Sequence, residues 1–143
     1  MLAMEDFAKN LGWALLCGGL IGLEREYRGH DAGIRTNALV AVGAAMFTMV
    51  SQILGDAGRV AAQLVTGIGF IGAGTILKAG EHVKGLTTAA TLWVVAGIGM
   101  FAGLGQTKMA LVATVAVLVL NFLLAPIERW YQRRQDRQNA PSP

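Results

Sequence analysis

Long apolar runs without charge constrain this chain more than any other feature. Thr36 to Leu54, Val60 to Leu77 and Leu86 to Leu104 extend for 19, 18 and 19 residues with no acidic or basic side chain. A helix crosses the hydrocarbon of a bilayer in about 20 residues, with a range of roughly 17 to 25. Met109 to Ala125 adds another such run, closed by Pro126, and Phe7 to Leu23 a weaker one in which Lys9 and Asn10 leave only Leu11 to Leu23 strongly apolar. Most of the 19 glycines lie inside these runs. Glycine inside a soluble helix costs about 1 kcal/mol relative to alanine, whereas membrane helices use it freely. The 15% of charged residues is also low beside the roughly 25% of a soluble domain. The expectation is an all-α integral membrane protein, a compact bundle of about five transmembrane helices with glycine-rich packing faces. The spans fall near 7–23, 36–54, 60–77, 86–104 and 109–125, giving one transmembrane domain over residues 1–127. A basic cytoplasmic tail over 128–143 is expected to be disordered.

The positions of the charges narrow the reading further. The net charge of +3 comes from groups clustered at the ends of apolar segments, with no continuous basic face, so nucleic acid is not the expected partner. If the five segments alternate, Arg25, Arg28, Arg35, Lys78, Lys84, Arg129, Arg133, Arg134 and Arg137 share one side, against Lys9, Arg59 and Lys108 on the other. The positive-inside rule then puts the N-terminus outside and the C-terminus in the cytoplasm. Trp130 and Tyr131, just past the last span, suit the headgroup region, where the arginines beyond them meet anionic lipid. Glu5 and Asp6 before Lys9 do not make the basic start of a removable signal peptide, so the first segment is expected in the mature protein. The single Cys17 excludes an intrachain disulfide and reads as a small buried hydrophobe.

The stretch "GIGFIGAGT", Gly67 to Thr75, matches the glycine pattern of dinucleotide-binding loops. Such a site needs a strand before it, a helix after it and an acidic residue about 20 positions on. Here the preceding residues belong to the same apolar run and Glu81 comes too early, so no nucleotide and no other cofactor is expected. Gly67, Gly69, Gly72 and Gly74 read instead as a helix face that lets two backbones approach in lipid. Gly18 and Gly22 make a similar face in the first segment, as do Gly99 and Gly103 with Ala96 in the fourth. The third helix is expected at the centre of the bundle, and part of one glycine face could serve a homodimer.

Polar chemistry concentrates at the segment boundaries. In "GLEREYRGHDAGIRTN", two helix ends brought together would set Glu24 near Arg35 or Arg28, because unpaired charge at that depth is costly. An ion-pair clasp is one reading; a cation or partner site using Glu24 and Glu26 is the other. On the same side Lys78, Glu81, His82 and Lys84 are expected to cap the third helix, and Thr87, Thr88 and Thr91 open the fourth, where a hydroxyl can cap it. His30 and His82 lack companion ligands at metal spacing, so no transition-metal site is expected. Gln63 and Asn121, alone in apolar segments, are each expected to hydrogen-bond another helix. No nucleophile–base constellation is visible, so no catalytic residue is named and an enzyme is not expected.

"GLERE", "AGIRTNALVAVGAA", "RVAAQLVTGIGFIGAGTIL" and "KGLTTAATLWVVAGIGM", in that order over roughly residues 10 to 126, resemble the MgtC/SapB family of bacterial membrane proteins, in a short form without the soluble C-terminal domain of longer members. The resemblance implies a five-span inner-membrane protein tied to growth in low magnesium and, in pathogens, to virulence and survival inside macrophages. The family carries a magnesium-transporter label, yet its better-known member looks like a regulator that binds the F-type ATP synthase. By motif, the resemblance points to Glu24, Arg25, Arg35, Thr36, Arg59, Gln63, the four glycines of the third segment, Gly85, Thr87 and Thr88. Two functions stay open: a regulator working by contact with another membrane complex, and a small dimeric Mg2+ or proton-coupled transporter. A transporter usually places a carboxylate near mid-bilayer, and none of the nine acidic residues falls inside a span.

Overall fold

Each apolar run forms a helix, and the chain passes back and forth between two ends of a bundle. The structure, a computed structural model, describes residues 3–79 and 82–138. The elements are α1 (Met4–Tyr27), α2 (Ile34–Leu54), α3 (Ala57–Ala73), β1 (Leu77–Ala79), β2 (His82–Lys84), α4 (Leu86–Gly103) and α5 (Thr107–Gln138). α2 ends on Gly55, whose φ of 69° is the left-handed conformation glycine adopts without steric cost, and the chain enters α3 after only Asp56.

The core lies where α1, α2 and α4 meet. Ala14, Cys17 and Ile21 of α1 pack with Ala41, Ala45 and Met49 of α2, with Val95, Ile98 and Ala102 of α4, and with Ala110 of α5. Backbones approach closely because the side chains between them are missing. A Cβ on Gly18 would stand 2.6 Å from the Asn37 carbonyl, one on Gly22 2.6 Å from Ile34 Cα, and one on Gly103 2.5 Å from the Ala45 carbonyl. On Gly99 it would collide with the Ala41 carbonyl. These four glycines stand where α1 and α4 meet α2.

The third helix departs from expectation. α3 lies on the flank, held through Ile68 against Ala44 and Ala96. Gly67 and Gly69 are exposed and face open space. Gly72 makes ordinary contact with Ala89 of α4, and Gly74 ends α3, meeting only that helix's own carbonyls. Residues 67–73 are helical, which removes any loop that could cradle a phosphate.

Other boundaries differ too. α3 stops at Ala73, short of Leu77, and the chain turns into the antiparallel pair β1–β2, with Lys78 opposite Val83. The structure is thus helical with one small hairpin. The expected cap from Lys78, His82 and Lys84 is replaced by strand positions, and Glu81 lies outside the described residues. Among the described residues, only α2, α4 and residues 107–124 of α5 are long and apolar enough to cross a membrane. α3, at 17 residues, is short, and α1 carries Glu5, Asp6, Lys9, Glu24, Arg25 and Glu26 at its two ends. Where disorder was expected after residue 127, α5 continues to Gln138.

Candidate functional site

The polar side chains gather at the end of the bundle where α1 stops and α2 and α4 begin. Glu24, in the last turn of α1, pairs with Arg28 Nε at 2.5 Å, the (i, i+4) neighbour on the same helix face. Its other carboxylate oxygen accepts a hydrogen bond from Asn121 Nδ2 at 3.0 Å, so one acid ties α1 to α5. The Arg28 guanidinium lies 5.9 Å above the Phe122 ring, within reach of the attraction between a cation and an aromatic face. Of the two partners foreseen for Glu24, the structure selects Arg28. Arg35 is exposed and stands apart from the pair.

Arg25 points the other way. It is 3% exposed, and its Nη2 donates to Thr88 Oγ1 at 3.3 Å, joining α1 to the first turn of α4. Thr88 is therefore a partner of the buried guanidinium, where a helix-capping role had been foreseen. Thr87 is exposed, and its carbonyl accepts from the Thr91 hydroxyl at 2.8 Å. The cap residue of α4 is Gly85, at φ 90°, where a Cβ would collide with the Thr75 carbonyl. Gly85 is thus a tight joint between β2 and α4 and makes no helix–helix contact.

Glu26 has a structural task. Its Oε2 accepts the Ile34 backbone N–H at 2.9 Å, satisfying a free donor at the start of α2 and placing negative charge at the positive end of the helix dipole. Gly33 makes room: a Cβ there would sit 2.5 Å from the same oxygen. Asn37, 1% exposed, fastens the loop by donating to the Ala32 and Gly33 carbonyls at 2.7 and 2.9 Å. Arg35 and Thr36 line a shallow polar dent of about 230 Å³ with Glu26, His30 and Asp31. Among the described residues no three His, Cys, Asp or Glu side chains come together as metal ligands.

At the opposite end, Arg59 pairs with Asp56 at 2.6 Å on an exposed turn. Gln63 is exposed and hydrogen-bonds no described residue, against the helix–helix bond expected for it, whereas Asn121 does make one. The motif positions thus divide. Glu24, Arg25, Thr88 and, through Asn121 and Phe122, α5 form one cluster; Arg59 and Gln63 lie at the far end of α3. Asn37 and Phe122 were not singled out from sequence; the position of Asn37 beside a Gly-rich loop before an apolar run was the available signal for the first.

Residues 11–130 match the model of the MgtC family. A protein named Protein MgtC in Salmonella typhimurium is 54% identical over 125 residues, covering 86% of this chain and 54% of the relative. Protein MgtC of Brucella abortus is 50% identical over 136 residues, covering 93% of this chain and 57% of the relative. The chain spans about half the length of the curated relatives it matches. No solved structure matches it.

Proposed function

Because the chain belongs to the MgtC family, we propose that it is a non-enzymatic, multi-pass protein of the bacterial inner membrane that works by contact with another membrane complex. Its task is adaptation to low magnesium and, in pathogens, virulence; the complex it engages is the F-type ATP synthase. The N-terminus faces outward and the cluster around Glu24 and Arg25 the cytoplasm, in keeping with the excess of basic residues at that end.

The observation that carries this reading is the closed core. α1, α2 and α4 touch backbone to backbone at Gly18, Gly22, Gly99 and Gly103, which supports a contact role over passage of a hydrated ion between them. The acidic side chains of the described helices lie near helix ends or, in α5, beyond the apolar run. Outside that core the bundle presents Leu39, Phe47, Val112 and Phe122, each more than half exposed, a surface that suits lipid or a partner helix. The test is expression in a bacterium lacking its own relative. Restored growth in low magnesium, with ATP synthase subunits captured by cross-linking, is the expected result. Growth restored by magnesium flux through the purified protein would contradict it.

A further inference from the structure

The fold leaves one face of α3 bare. Arg59, Gln63, Thr66, Phe70 and Ala73 recur at alternating steps of four and three, which sets them on one side of the helix, and all five are exposed. Phe70 is 86% exposed. Beside it a groove of about 420 Å³ runs between α2 and α3, with Leu39, Phe47 and Ile71 in its walls and Gly43 and Gly67 in its floor. The floor is open, since a Cβ on either glycine would meet nothing within 4 Å.

We propose that two copies of this chain pair in parallel through α3, each placing Phe70 in the α2–α3 groove of the other. The proposal rests on the bilayer reading above. In a membrane, a two-fold axis along the normal brings equal depths together, and such an interface must complement itself. This face does so in three ways. Phe70 lies within one helical turn of Gly67 and Ile71, so knob and groove share a level. Gln63 hydrogen-bonds no described residue of its own copy, and a carboxamide both donates and accepts, so two of them across the axis satisfy each other where lipid offers nothing. Asp56 and Arg59 put both signs of charge at one depth, so copies meet without net repulsion. Thr66 and Ala73 are small enough for the backbones to come close.

The test uses the full chain in vesicles of phosphatidylethanolamine and phosphatidylglycerol. Copper phenanthroline should convert Thr66→Cys to a covalent dimer. Val115→Cys, exposed on α5, and the wild type, whose Cys17 is buried, should form no covalent dimer. Adding Gly67→Leu, which fills the groove, or Phe70→Ala should cut the Thr66→Cys dimer by about tenfold with helix content unchanged. Dimer from Thr66→Cys no greater than from Val115→Cys overturns the proposal, as does a dimer indifferent to both groove variants. A membrane-impermeant maleimide separates the causes: labelling of Thr66→Cys means the bilayer reading has failed, whereas protection without cross-linking means that pairing alone has failed.

Discussion

Glu24 shows how much one side chain can hold when both of its oxygens are used. It pairs along α1 with Arg28 and across the bundle with Asn121, at 16% side-chain exposure for each member of the ion pair. Glu24→Gln keeps a group able to accept from Asn121 but removes the charge facing Arg28. It should destabilise the fold by about 1–3 kcal/mol in a detergent unfolding titration, and exchanging the two charges in a Glu24→Arg, Arg28→Glu double variant should recover part of the loss. Arg35→Gln, at an exposed position, should change stability by less than about 0.5 kcal/mol. Thr88→Val leaves the buried Arg25 guanidinium without its hydroxyl acceptor and should cost about 1–3 kcal/mol in the same titration. A loss from Arg35→Gln larger than from Glu24→Gln would reverse the assignment of partners.

Among the elements, glycines that look alike in sequence have unlike surroundings. Gly99→Ala drives a Cβ into the Ala41 backbone, whereas Gly69→Ala enters open space. The first should abolish or sharply reduce folded protein; the second should leave thermal stability unchanged within about 0.5 kcal/mol. Gly85→Ala combines a left-handed φ, costing about 1–2 kcal/mol for a residue with a Cβ, with collision against the Thr75 carbonyl, and should fail to accumulate. Helix positions and the faces of α1 and α4 were legible because spacing and apolarity are local properties. The position of α3 was not: the pattern over Gly67–Gly74 specifies a face that permits close approach, and only the other helices decide whether anything occupies it. The hairpin was hidden for a related reason. Ile76 and Leu77 continue the apolar run, and the pairing of Leu77 with Lys84 and of Lys78 with Val83, not hydropathy, ends the helical stretch. In the polar cluster, Glu24–Arg28 follows from a four-residue step, whereas Asn121 reaches Glu24 across 97 residues, a pairing no local pattern encodes.

For the whole molecule, family membership, three helices apolar enough to cross a bilayer and backbones in contact at Gly18, Gly22, Gly99 and Gly103 support the proposed reading, a bundle that works by touching its neighbours. Glu24, Arg25 and Glu26 fasten helix ends, and much of the bare surface is apolar. The most direct measurement is magnesium entry into liposomes that hold the purified chain and an indicator dye. The account predicts flux no greater than in protein-free liposomes. Flux that the wild type supports and Glu24→Gln abolishes would contradict it.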